Sequence, residues 1–355
     1  VLLTLGVTIY LLYRRAVRKS IEKKSLQPFL QHAPSIRNAE TQTDDLETPS
    51  ITTRETQTVC SSASHTENNE FVCIRRYEED VCGLENRLAS QWLYDRPIVT
   101  IDENINAIEA LVAMYSEKVS CAIVTANDGE FLGMVDLLDA ARYLLRGSRM
   151  ESPSVRRLLR MCIIASENVS LSEVCGTLRS GVRHMAIARA DGTYQIVSQR
   201  SVAQAVCTIS DDKLCRSLDR RIDTIRLPSW GKVIVAFQSW SARAAFQTMV
   251  AHDITSLPVC NETGVAVAVI SASDVFYALE DCSRLDHLVG TFIEKSRIER
   301  GVNVPIRKVI SCKASSTLMD ALHVMLDEKI HHVYVLDDAG KPLGVVSFVD
   351  ILRFI

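Results

Sequence analysis

The sequence predicts an α/β protein built in α+β layers, with four repeats of β-α-β-β-α order paired into two modules behind a disordered N-terminal tether. Three observations carry this reading. A strand, a short turn bearing glycine and a second strand recur four times along the 355 residues, at Cys121–Asp136, His184–Ser198, Leu257–Ser271 and His332–Ser347. Each second strand ends on a small polar or acidic residue just where an apolar helical segment begins, as a helix cap does. Each hairpin is preceded by a stretch with apolar residues at helical period. The repeats sit at unequal intervals, which favours globular half-modules over a solenoid.

Val1–Tyr13 is apolar and is followed by Arg14, Arg15, Arg18, Lys19, Lys23 and Lys24. Thirteen helical residues rise about 20 Å, short of the roughly 30 Å hydrocarbon core. The order of apolar stretch, tyrosine and basic cluster is that of the cytoplasmic end of a membrane span, cut short. An amphipathic or signal-like segment would read the same way. Pro34–Asn69 is rich in Thr, Ser, Glu, Gln and Asn and cannot bury enough surface to fold. Within it Thr41-Gln42-Thr43 and Thr56-Gln57-Thr58, each after a Glu, resemble the anchor that dynein light chain takes as an added strand. Compositional repetition in a Thr-rich linker gives the same letters.

Leu84–Tyr94 reads as a helix stopped by Pro97. Ile98–Ile101 is the first strand and Asn104–Lys118 the first helix, with Ile105, Ile108, Leu111, Val112 and Tyr115 on one stripe. The hairpin and a helix over Leu137–Leu145 complete the first copy. The second runs through Met161–Ala165, Leu171–Ser180, its hairpin and Val202–Cys207. A polar connector, Ser210–Arg226, separates the halves. The third has Val233–Phe237, Ala242–Ala251, its hairpin and a helix after Asp274. Leu285–Arg300 is a connecting helix. The fourth has Val309–Cys312, Leu318–Glu328 and the final hairpin. The expected divisions are 1–33, 34–83, a first pair at 84–209, a linker at 210–230 and a second pair at 231–355.

The hairpin ends align as Gly133-Met134-Val135-Asp136-Leu137-Leu138-Asp139, Gln195-Ile196-Val197-Ser198-Gln199-Arg200-Ser201, Ala268-Val269-Ile270-Ser271-Ala272-Ser273-Asp274 and Gly344-Val345-Val346-Ser347-Phe348-Val349-Asp350. They resemble the cystathionine-β-synthase (CBS) domain, whose ligand-binding signature is G-h-h-S/T-x-x-D. Four copies in tandem resemble the γ subunits of AMP-activated protein kinase. The fourth copy matches fully. The third has Ala for Gly, the first has Asp136 for the hydroxyl, and the second lacks both Gly and Asp.

The resemblance implies that the final Asp holds both ribose hydroxyls of an adenine nucleotide (AMP, ADP or ATP) and that the Ser/Thr also contacts it. A carboxylate accepting from two hydroxyls fits that task. Ser347 with Asp350 is then the best site, Ser271 with Asp274 the second. Asp139 keeps the ribose contact, but Asp136 beside it should repel phosphate. Ser201 cannot replace a carboxylate. Each Asp can equally be a helix cap and no more. The resemblance also implies phosphate contacts from Lys329, His331 and His332 and from Arg183 and His184. His332 stands where the family has Arg, so affinity for phosphate should fall as pH rises through about 6 to 7.

Apolar content of 47% and charge of 23% suit a globular chain with ample core, and a net charge of −3 gives no argument for nucleic acid. Eleven cysteines without a C-x-x-C pair read as reduced thiols in a cytosolic setting. No P-loop, nucleophile elbow or H-E-x-x-H motif is present, which argues against an enzyme. No cofactor or metal site is expected. The expected function is a regulatory protein that binds adenine nucleotide and conveys occupancy to a protein partner such as a kinase complex. The rival is a membrane-tethered scaffold whose CBS disc is structural.

Overall fold

A computed structural model describes residues 84, 87–93, 98–146, 153–160, 162–209, 216–225, 227–299 and 309–355. The apolar and basic segment, the polar tether and both Thr-Gln-Thr motifs lie outside the described residues. Among the described residues no helix is long and apolar enough to cross a membrane.

A single turn, α1 (Ala89–Trp92), precedes the first copy, where the sequence suggested a helix over Leu84–Tyr94. The first copy is β1 (Thr100–Asp102), α2 (Ala107–Ser116), β2 (Cys121–Thr125), β3 (Phe131–Asp136) and α3 (Leu137–Leu145). The second is β4 (Ile164–Ser166), α4 (Leu171–Arg179), β5 (His184–Ala188), β6 (Tyr194–Ser198) and α5 (Gln199–Cys207). The third is β7 (Ala236–Phe237), α6 (Ala242–Ala251), β8 (Ser256–Cys260) and β9 (Ala266–Ser271), and here the chain continues as a 3-10 helix, Ala272–Ala278, rather than an α-helix. The connector splits into a 3-10 turn, Cys282–Asp286, and α7 (Val289–Glu299). The fourth copy is β10 (Ser311–Cys312), α8 (Leu318–Asp327), β11 (His332–Leu336), β12 (Pro342–Ser347) and α9 (Phe348–Leu352).

Local chemistry explains the repetition. The first helix of each copy is capped by a short polar residue, Asn106, Ser170, Ser241 or Thr317, whose side chain accepts from a backbone N–H one turn in. The hairpin turns place Gly129, Gly192, Gly264 and Gly340 at φ between +79° and +89°, the left-handed region where a side chain is strained. In each three-stranded sheet the middle strand pairs parallel with the first and antiparallel with the third. A register shift follows the Val124, Val259 and Val335 pairings, opposite Gly133, Ala268 and Gly344. The second copy, with Gln195 there, pairs without a shift.

Two apolar cores form, and they group the copies crosswise. One joins the first and third copies through residues such as Leu111, Leu138, Phe246 and Phe292. The other joins the second and fourth through Leu171, Val202, Leu322 and Phe348. Helix α3 packs on α6 and on the 3-10 helix of the third copy, and α9 packs on α4 and α5. Consecutive copies meet instead along their sheets. The Phe131 and Tyr194 rings meet at a tilt, centroids 4.9 Å apart, between copies one and two, and Ala266 N donates to Gly340 O at 2.9 Å between copies three and four. Helix stripes therefore meet across the molecule, while hairpins meet their neighbour in sequence.

Candidate functional site

In the fourth copy β12 ends at Ser347, directly opposite His332 on β11. Ser347 keeps extended backbone (φ −118°, ψ 169°) and caps α9. Its N–H and Oγ both donate to Asp350 Oδ2, at 2.9 and 2.6 Å. Asp350 is buried, and its other oxygen, Oδ1, accepts from Arg353 at 3.2 Å. The Arg353 side chain is 43% exposed, so this pair holds weakly. Gly344 allows close approach: a Cβ there would stand 3.1 Å from the Trp230 ring, which would have to give by a few tenths of an ångström. Ser229 Oγ anchors that segment, donating to Val345 O and accepting from Val345 N, both at 2.9 Å.

The cations expected around this site divide. Lys329, at φ 55°, and His331 are exposed, and the His331 ring meets Phe348 edge-on at 5.9 Å. His332 turns inward. Its Nε2 hydrogen-bonds Ser256 Oγ, which also meets Tyr334 Oη at 2.5 Å. Burial holds the His332 pKa at about 3, with His331 adding to the effect. The imidazole is therefore neutral across pH 6 to 7, and the expectation that it grips phosphate and titrates there is corrected: a strand residue facing the sheet-to-sheet contact cannot keep a charge.

The third copy repeats the cap. Ser271 N and Oγ donate to Asp274 Oδ2 at 2.7 and 2.9 Å, and Asp274 is buried. In the second, Ser198 N donates to Ser201 Oγ at 2.8 Å and Ser201 N to Ser198 Oγ at 3.2 Å, so the cap survives without its acid. His184, on the strand beside it, is held down to about 4 by burial.

The first copy differs in kind. Asp136 caps α3 by accepting from Leu138 N and Asp139 N at 2.8 and 3.1 Å, and its own N–H donates to Asp139 Oδ2 at 3.0 Å. Arg183 of the second copy donates twice to Asp136 Oδ2, from Nε at 3.0 Å and Nη2 at 2.8 Å. Asp139 Oδ1 is shared by Arg142 Nη1 and Arg160 Nε, each at 2.8 Å. Asp253, from the third copy, meets Arg183 Nη1 at 2.8 Å and Arg142 Nη2 at 3.3 Å. Burial pushes Asp136 up, but Arg183 outweighs it and holds the carboxyl at about 2. Burial, with the Asp136 charge, raises Asp139 to about 6 against the pull of Arg160. Asp136 is thus neutralised within the chain, and the repulsion expected from its charge is cancelled by Arg183.

Arg142, Arg160, Arg353 and Asp253 were not singled out from the sequence. Arg142 and Arg353 each follow the signature Asp by three residues, a spacing that puts both on one helix face. Arg160 and Asp253 reach the first copy only through the tertiary fold.

Comparison with known proteins agrees with this layout. The CBS domain family profile matches residues 93–146, 229–281 and 301–355, leaving out the second copy, whose signature has lost Gly and Asp. The chain belongs to the CBS-domain family. Over 138 residues it is 28% identical to 5'-AMP-activated protein kinase subunit gamma-3 of Sus scrofa, an alignment covering 38% of this chain and 26% of that protein. The chain thus spans about a quarter of the length of that relative. It is 30% identical over 123 residues to the uncharacterized protein MJ1426 of Methanocaldococcus jannaschii, covering 29% of this chain and 73% of that one. The crystal structure of protein MJ1225 from the same organism superposes with a TM-score of 0.60 at 21% identity, over 75% of this chain and 99% of that one, and so shares the fold.

Proposed function

We propose that the chain is a non-catalytic regulatory protein that binds an adenine nucleotide at its fourth copy, and secondarily at the third, and conveys occupancy to a protein partner such as a kinase complex. One observation carries the reading. Asp350 is buried and oriented by Ser347 through Oδ2, while among the described residues Oδ1 meets only the half-exposed Arg353. A ribose diol can take that oxygen by displacing a weak ion pair. Lys329 and His331 stand nearby in sequence and are exposed, and the reading assigns them the phosphate. His332, Arg183 and His184 take no direct part. Signalling would follow from unequal affinity of the nucleotide for two arrangements of the pairs at 84–209 and 231–355, since a ligand shifts an equilibrium only by such a difference.

The test is calorimetric titration of the full chain with AMP, ADP, ATP and adenosine. Binding that is lost or reduced about tenfold to a hundredfold in Asp350→Ala supports the reading. No binding of any of the four at millimolar concentration removes it. That outcome would favour a scaffold, to which the arginine-paired carboxylates of the first copy and the acid-free second copy already lend weight. In the scaffold reading the N-terminal segment attaches to a membrane and the two Thr-Gln-Thr motifs bind dynein light chain bivalently, gaining through effective concentration. Changing both Gln42 and Gln57 to Ala should then abolish light-chain binding by the full chain.

A further inference from the structure

Six charged side chains from three copies and a connector meet beside the first signature. Asp253 lies just past α6 in the left-handed region, φ 51°. Lys118, Gly181 and Lys329 hold the same post-helix place in the other copies, also at positive φ. Only in the third copy is that place acidic. The Asp253 carboxylate faces Arg183 at 2.8 Å, Arg142 at 3.3 Å and Arg160 at 3.8 Å. Asp136 and Asp139 offset two of the three guanidinium charges, which leaves one for Asp253. The Asp253 side chain is 56% exposed, while Arg183 beneath it is 17% exposed. The carboxylate therefore sits on the arginines from the solvent side, as a bound oxyanion would.

We propose that the first copy is ligated from within: the Asp253 carboxylate is a tethered oxyanion that fills the arginine-lined recess beside Asp139 and fastens copies one, two and three with no diffusible ligand. Asp139 Oδ1 is held by two guanidiniums, Arg142 and Arg160, where Asp350 Oδ1 has Arg353, so a ribose diol at Asp139 would have to displace two ion pairs. The recess takes oxyanions as a class, and removing the tethered one should open it to inorganic phosphate.

The experiment compares melting of wild type, Asp253→Gly, Asp253→Asn and Asp286→Asn in chloride and in phosphate at matched ionic strength. Glycine accepts the left-handed backbone and clears the recess; asparagine keeps the volume and drops the charge. Asp286 pairs with Arg243 elsewhere on the surface and serves as control. Asp253→Gly should melt about 3–6 °C lower in chloride, and phosphate should restore at least about half of the loss. Wild type and Asp286→Asn should shift by less than about a degree on the same change. Asp253→Asn should lose stability and gain little from phosphate. An unchanged Asp253→Gly, or equal phosphate gains in all variants, overturns the proposal. The rescue should persist in an Asp350→Ala background, which separates it from nucleotide binding at the fourth copy.

Discussion

The first and fourth copies share a backbone and part at their charges. Both end a hairpin on an N-cap whose partner is the signature Asp three residues on, and both place an Arg one turn beyond it. In the fourth copy the cap residue is a hydroxyl, and the Asp keeps one oxygen toward a solvent-exposed partner. In the first the cap is itself a carboxylate, and three arginines are drawn in to balance the charges. The difference teaches that a CBS signature can retain its Asp while a second buried carboxylate draws further cations in beside it, two guanidiniums on the oxygen that meets one in the fourth copy.

The sharpest way to break the comparison is to remove the charge that distinguishes the two caps. Asp136→Asn leaves Arg183 without its buried partner and should cost about 3–5 kcal/mol of unfolding free energy by urea titration. Ser347→Ala at the corresponding cap should cost only about 1 kcal/mol. Equal losses would mean that the arginine cluster contributes no more than an ordinary cap.

Acid gives a second, smaller effect. His184 and His332 have pKa values depressed by burial from 6.5 to about 4 and about 3. Their stabilisation is present above pH 6.5 and is lost as pH falls toward those values, since the unfolded chain takes up the protons. Asp139, raised to about 6, works the other way between pH 6 and 4. Two histidines against one carboxylate leave a net loss of stability as pH falls through that window, on the order of 1 kcal/mol per pH unit. Asp136, held at about 2, adds to the loss only toward pH 4, where its carboxyl in the unfolded chain begins to take up a proton. A urea midpoint that does not move between pH 7 and 5 would contradict the burial of both rings. The smallest effect belongs to Ser201→Ala, which removes a cap hydroxyl in a copy with no acid: nucleotide affinity should stay unchanged within the error of calorimetry.

Much of the fold was legible because its determinants are local. Glycine in each hairpin turn, a capping residue at each helix start and alternating apolar strands are read from neighbours in sequence. The same locality made Ser347 with Asp350 and Ser271 with Asp274 readable as paired residues. What could not be read depends on distant segments meeting. Asp253 lies 111 positions from the Arg142 it contacts, and nothing in its own surroundings marks it. His332 looks like a phosphate ligand beside Lys329 and His331, yet Ser256 claims it across the sheet contact. The crosswise cores were also hidden, since amphipathic stripes show that a helix packs but not on which copy.

The most direct measurement is calorimetric titration of AMP into wild type, Asp350→Ala and Asp139→Asn side by side. An open fourth copy and a closed first copy predict that Asp350→Ala weakens AMP binding by about tenfold to a hundredfold while Asp139→Asn leaves both affinity and stoichiometry as in wild type. Loss of AMP binding in Asp139→Asn with retention in Asp350→Ala would contradict the account.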